Sequence, residues 1–271
     1  MSLFVSGGWH EIVTKYSTRQ LTYNLDKLLA LSALVRETAE LCGDDDEYLA
    51  GLWRSTLPCD LCWSSCERPS RISEEYLAPS WSWASSSADI HYQDVGVGCG
   101  YWPAVELKDA RLKFATADTC GAVHDEWIHL LGHLKPVRVI QVRTSAEQRR
   151  AMWPMIVRDA DGDSLHFVDH WFAKLDTVSF LTGGSKLVSM FCVPLIKFGW
   201  DRPETERRAL EFWCLLLVPN GSIKHTRPGE TFSSPKTRYS DDYQRAGLSR
   251  MRVNNRSAFK AWLGESARRT L

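Results

Sequence analysis

The stretch Tyr76-Leu77-Ala78-Pro79-Ser80-Trp81-Ser82-Trp83-Ala84-Ser85 constrains the fold of this chain more than any other. Two tryptophans separated by one serine have the period of a β-strand. Such a strand would set Trp81 and Trp83 on one face and Ser80, Ser82 and Ala84 on the other. Pro79 is tolerated at a strand start but not inside a ladder, so the expected strand begins at Ser80. Paired indoles bury a large apolar area and bring two ring N–H groups that need acceptors. The stretch is expected to be a packing nucleus, with the wall of an aromatic pocket as the functional alternative.

Upstream of it the pattern is helical. Trp9, Ile12, Val13 and Tyr16 recur at helical spacing and predict a first amphipathic helix over about 9–18. Leu28, Leu31, Val35, Ala39 and Cys42 define one face of a second, from about Leu25 to Cys42. Asn24 or Asp26 could cap it and Gly43 end it. Helical pattern resumes from Tyr48 through Trp53, and Pro58 starts a further turn reaching about Trp63. The polar segment 67–75 reads as a loop.

Downstream the period changes to two. Val105, Leu107, Leu112 and Phe114 alternate with polar residues, as do the residues from Trp127 to Leu134 and from Val137 to Val142. Met155–Val157 and Leu165–Val168 flank Asp159-Ala160-Asp161-Gly162-Asp163, a hairpin signal. Leu187–Phe198 and Phe212–Val218 are continuous apolar runs of buried-strand type. Gln244–Val253 predicts a last strand, and Asn255–Arg268 a closing helix through Phe259, Trp262 and Leu263. The expected architecture is α+β: a helical N-terminal third, residues 1–75, packed on a mostly antiparallel β body, residues 76–271. That body would be barrel- or sandwich-like, with a C-terminal helix, and both parts would form one compact unit.

Composition narrows the function classes. With 33 basic and 33 acidic residues the formal charge is zero, so no global field favours nucleic acid or a membrane surface as a partner. No apolar run approaches the roughly 18 residues of a membrane span, and the N-terminus lacks a basic region ahead of an apolar one. A cytoplasmic location with reduced thiols is the expectation for the eight cysteines.

Three pieces of the sequence, taken together, resemble one family. They are Trp9-His10-Glu11-Ile12-Val13 with Tyr16-Ser17-Thr18-Arg19-Gln20-Leu21-Thr22 and Asp26-Lys27-Leu28; Tyr48-Leu49-Ala50-Gly51-Leu52-Trp53; and Ala78-Pro79-Ser80-Trp81-Ser82-Trp83-Ala84-Ser85. In this order and spacing they look like the region downstream of the signalling core in fungal heterokaryon-incompatibility (HET) domain proteins. Leu131-Gly132-His133-Leu134-Lys135-Pro136-Val137 resembles a later strand of that family. The likeness covers about 9–137. The family's TIR-like core should precede Trp9, where this sequence has eight residues, so none of that core's chemistry carries over. The resemblance implies a fungal source.

Motifs that would carry chemistry are sparse. Cys59-x2-Cys62-x3-Cys66 lacks a fourth ligand, and its positions share one helical face, which favours buried thiols over a metal. Gly96-Val97-Gly98-Cys99-Gly100 lacks the following helix of a phosphate loop and reads as a turn. Asp159, Asp161 and Asp163 lack the terminal glutamate of a calcium loop. On a strand His129 and His133 would lie on one face roughly 13 Å apart, too far to share a metal. They are weak hydrogen-bond donor candidates. No metal and no cofactor is expected.

Twelve tryptophans without a cofactor or nucleophile motif suit reactions that need only shape and a few hydrogen bonds. The leading expectation is a cofactor-independent cyclase of Diels–Alder type in fungal secondary metabolism. It would fold an apolar terpenoid or polyketide substrate against Trp53, Tyr76, Trp81, Trp83, Trp102 and Trp127. The alternatives are a non-catalytic HET-like allorecognition module that binds a protein, and a carrier for an apolar ligand.

Overall fold

A computed structural model describes residues 3–42, 46–65, 76–93, 101–114, 116, 118–141, 155–160, 165, 166, 168–176, 187–198, 210–220, 242–264 and 268–270. The runs 96–100 and 161–163 and the residue Cys66, each weighed above as a motif, lie outside them, as does most of 220–238.

The first helix, α1 (Leu3–Ser17), turns Trp9 and Val13 inward as the spacing requires. The second, α2 (Ser32–Cys42), starts later than its apolar period suggests. Ahead of it stand separate 3₁₀ turns at Asn24–Asp26 and Leu29–Leu31. Residues 22–26 are all exposed, so no burial holds a helical register until Leu28. Leu28, Leu31 and Val35 nonetheless reach the core.

The stretch Tyr48–Trp53 is a hairpin and not a helix: β1 (Tyr48–Leu49) pairs with β2 (Leu52–Trp53). Its two-residue turn has φ 43° at Ala50 and 106° at Gly51, the left-handed pair of a type I′ turn. After a 3₁₀ turn at Arg54–Thr56, α3 (Leu57–Asp60) carries Pro58 in its first turn, where a missing N–H costs nothing. Next, β3 (Trp63–Ser65) pairs with β4 (Ile90–Tyr92).

The Trp-Ser-Trp stretch forms no strand. The Ser82 hydroxyl accepts the Ala84 N–H at 3.1 Å and caps a 3₁₀ turn over Trp83–Ser85. It also donates to the Ala50 carbonyl at 2.6 Å. Side-chain bonds to backbone here replace the ladder that alternation implied.

The β body consists of β5 (Tyr101–Pro103), β6 (Glu106–Phe114), β7 (Val123–His133), β8 (Lys135–Gln141), β9 (Met155–Asp159), β10 (Val168–Leu175), β11 (Leu187–Phe198), β12 (Leu210–Pro219) and β13 (Tyr243–Val253), followed by helix α4 (Arg256–Gly264) and β14 (Arg268–Thr270). Six strands close an antiparallel barrel in the order β12-β13-β10-β9-β8-β11 and back to β12, and β5 extends the β11 edge. The remaining strands form a separate antiparallel sheet, β14-β7-β6. The barrel was one of the two expected forms of the body, and the C-terminal helix is present but ends at Gly264, short of the expected Arg268, which lies in β14. The N-terminal third mixes helices, 3₁₀ turns and short strand pairs, because two-residue turns and single serines interrupt its helical periods.

Two apolar clusters explain the continuous runs in β11 and β12. Met190, Cys192, Phe212, Cys214 and Leu216 belong to one cluster with Val137, Val157, Trp171 and Met251, and Phe259 and Trp262 join it from α4. In a barrel this small, such side chains fill the interior. Val193, Leu195, Trp213, Leu215 and Leu217 belong to the other cluster, with Trp9, Trp53, Trp63 and Trp83. Strands buried on both faces lose alternation.

Candidate functional site

Residues of the three N-terminal motifs meet at the Ala50–Gly51 turn. Trp9 and Trp83 each donate an indole N–H to the Gly51 carbonyl, both at 2.9 Å, beside the Ser82 bond to Ala50. A Cβ on Gly51 would lie 2.6 Å from the Trp83 ring nitrogen, so both the conformation and the space demand glycine. Trp63 donates to the Trp81 carbonyl at 3.0 Å. Trp53 packs edge-on against Trp9 and Tyr48 with centroids 5.8 and 5.4 Å away. Trp53, Trp81 and Trp83, three of the sequence candidates, therefore do come together, as close-packed members of one buried cluster.

Charges are locked around that cluster. Asp60, fully buried, contacts His10 Nε2 at 2.7 Å and accepts from the Trp53 N–H at 2.8 Å and the Thr56 hydroxyl at 3.0 Å. His10 stacks on Tyr92 at 3.8 Å. Arg245 of β13 reaches out of the barrel wall. It donates to Asp176 at 2.8 Å and to the Leu61 and Trp63 carbonyls at 2.6 Å each, while its guanidinium lies 3.5 Å above the Trp63 ring. Lys27 donates to the Ser86 carbonyl and stands 5.3 Å over Trp83. Burial pulls its pKa down to about 8, against the opposing pull of Asp89. Burial also pushes the Cys62 and Cys214 thiols and the Tyr92 hydroxyl well up, so these groups stay protonated at neutral pH and are poor nucleophiles.

The other sequence candidates sit elsewhere. Tyr76 donates to Glu126 of β7. Trp102 on β5 is 48% exposed beneath the Lys197 ammonium, 4.7 Å from the ring centroid. Trp127 and His129 stack at 4.0 Å on one face of β7, and His133 follows four residues further along that face. Leu130 faces the core from the opposite side, the alternation that the sequence predicts. Among the described residues no group of histidine, cysteine and acidic side chains is placed to hold a metal.

A slit in the barrel wall escapes sequence reasoning. The strands β9 and β10 pair only at Met155–Ala173 and Ile156–Phe172. Beyond that point Val157, Arg158 and Asp159 have no ladder partners in β10, whose own pairing with β13 carries a bulge at Asp169. The opening holds a cavity of about 210 Å³ lined by Ile156, Arg158, Asp159, His170, Trp171 and Phe172, among others. Behind two of these lining residues stands Trp262, which donates to Asp159 at 3.3 Å and meets Trp171 edge-on at 5.8 Å. Buried Lys135 lies 5.0 Å over the Trp262 ring. The one signal in the sequence is the polar–aromatic run Asp169-His170-Trp171-Phe172, which reads like any amphipathic strand.

Compared with known protein families, curated proteins and solved structures, the chain matches none.

Proposed function

We propose that the chain is a heterokaryon-incompatibility-type interaction module of the fungal cytoplasm, which binds a protein partner and catalyses nothing. The observation that carries this reading is the fate of the motif residues. The Trp9 and Trp83 indoles and the Ser82 hydroxyl are consumed in holding the Ala50–Gly51 turn, a role for the motifs as architecture. Free cysteine thiols at 59, 62, 120, 192 and 214 suit a reducing compartment. Segment 23–41 supplies an apolar surface for a partner: Leu41 is 76% and Tyr23 69% exposed, with Leu25, Leu29 and Leu34 exposed beside them in sequence. The partner is the apolar face of a HET-domain signalling protein. Co-expression with a full-length HET-domain protein of a fungal host, followed by size-exclusion chromatography, tests this. Co-elution that the Leu34→Glu, Leu41→Glu double variant abolishes without lowering the melting temperature supports it. Independent elution of the two wild-type proteins rejects it.

A second reading, the cofactor-independent cyclase, draws support from the slit, where apolar Ile156, Trp171 and Phe172 stand beside a hydrogen-bonding imidazole, His170. Orientation in such a pocket is worth up to about 7–11 kcal/mol of barrier. Incubation with linear terpenoid and polyketide precursors and chromatography with mass detection tests it: no cyclised product above the protein-free rate ends this reading.

A further inference from the structure

We infer that the chain self-associates head to tail, the outer face of helix α2 in one copy seating on the outer wall of the barrel in the next. Among the described residues the exposed large apolar side chains, Trp102 apart, fall in two places: segment 23–41, and Phe172 with Leu187 on the barrel. The barrel pair are the ends of one row. In ladder register Leu187 of β11 faces Ile140 of β8, Ile140 faces Ile156 of β9, and Ile156 faces Phe172 of β10. Their chain neighbours Val139, Val157, Trp171, Ala173 and Val188 pack in the cluster inside the barrel, so by alternation the four point outward. None of the four belongs to either apolar cluster. At the usual strand spacing the row is about 14 Å long.

Charge decides what covers it. Two residues along from the Ile140–Ile156 step, Arg138 and Arg158 oppose each other, half-buried and without an ion pair among the described residues. Asp159 alternates to the inner face and accepts from Trp262 of α4. On the outer wall Asp169 accepts from Asn254 at 2.6 Å beside Arg252, and Glu211 accepts from Arg250, so β13 supplies a cation for each of these acids. The unmatched guanidiniums beside the apolar row call for leucines flanked by carboxylates.

Helix α2 presents that pattern. Leu34 and Leu41, seven residues and about 10 Å apart, share one line on the helix. Glu37 and Glu40 lie on the side of that line away from buried Val35, exposed and without an ion pair among the described residues. The one cation of α2, Arg36, is held by Asp118 at 3.3 Å. Because the two faces differ, the contact is heterologous and repeats into rings or filaments. It uses leucines of the face proposed above for a protein partner, so copies and partner compete. It does not rest on that reading, and its test needs this protein alone.

Sedimentation velocity of the full chain from about 1 μM to about 1 mM provides the test. The weight-average mass should rise with concentration past that of a dimer. The double variants Glu37→Lys, Glu40→Lys and Arg138→Glu, Arg158→Glu, each folded by circular dichroism, should self-associate at least about tenfold more weakly. An equimolar mixture of the two should recover association, since opposite charges meet again. If the arginine variant does not fold, Phe172→Gln, Leu187→Gln replaces it with the same expectations. Trp102→Ala should change nothing. A wild type that stays monomeric throughout overturns the inference, as does a plateau at the dimer mass. Undiminished association of either double variant, or a mixture that stays monomeric, overturns it equally.

Discussion

Trp83 donates its indole N–H to the carbonyl oxygen of Gly51 at 2.9 Å, across 32 residues of sequence. Trp9 donates to the same oxygen from 42 residues away on the other side, so one acceptor ties α1, the β1–β2 turn and the Pro-Ser-Trp-Ser-Trp stretch together. Gly51→Ala should break this knot. The methyl would meet the Trp83 ring nitrogen at 2.6 Å, at a φ of 106° that side chains avoid. Positive φ costs about 1–2 kcal/mol and each buried donor left unpaired about 1–3 kcal/mol. A loss of about 3 kcal/mol or more in urea unfolding is expected.

Replacing each indole by phenylalanine separates packing from hydrogen bonding. Trp83 and Trp53 are both fully buried, but the Trp53 ring N–H has no hydrogen-bond partner among the described residues. Trp83→Phe removes one of the two hydrogen bonds to the Gly51 carbonyl, whereas Trp53→Phe removes an unsatisfied donor. Trp83→Phe should therefore be the more destabilising by about 1–2 kcal/mol, measured as the difference in unfolding free energy.

Arg245 anchors the barrel to the motif cluster. Its removal takes a donor from two backbone carbonyls and the guanidinium from beside Asp176. Arg245→Ala should cost about 3–5 kcal/mol, the usual penalty for breaking a buried pair from one side. Arg245→Lys should recover only part, since an ammonium lacks the planar fork that lies 3.5 Å over Trp63. Tryptophan fluorescence and far-UV circular dichroism are expected to lose their coincident transition in the alanine variant.

Stability should depend on pH through Lys27. Its folded pKa of about 8 lies below the ordinary lysine value of 10.5, so between these limits the unfolded chain holds the extra proton. Stability contributed by this residue therefore rises from pH 8 towards 10.5. The penalty for burying the ammonium is fully present below pH 8. The buried thiols of Cys62 and Cys214 act oppositely above about pH 9, because only the unfolded chain then loses their protons. Comparison with Lys27→Met isolates the lysine: the wild type should gain about 1–3 kcal/mol on the variant across pH 8–10.5. A constant difference across that range would contradict the assignment.

Legibility in the sequence followed burial. Where a segment buries one face against a single layer, its period survived: β7 sets Leu130 inward and Trp127 and His129 outward, and α4 turns Phe259 and Trp262 to the core. Where local bonds compete with period, the reading failed. Ser82 bonds to Ala84 and Ala50 instead of letting the stretch join a ladder, and the positive φ of Ala50 and Gly51 folds a helical-looking stretch into a hairpin. The slit was illegible because it arises from ladder pairing that stops between β9 and β10, which leaves no mark on either strand alone.

The sequence by itself determined that an antiparallel β body with a closing helix follows an N-terminal part that is only partly helical, because alternation and helical period record which side of each segment avoids water. Tertiary structure alone decided that the strands close into a barrel, that Arg245 crosses from its wall to Asp176 and Trp63, and that Trp9 and Trp83 share the Gly51 carbonyl. These are meetings between residues far apart in the chain. Their stability comes from satisfying buried polar groups together, a condition that no single segment's periodicity encodes.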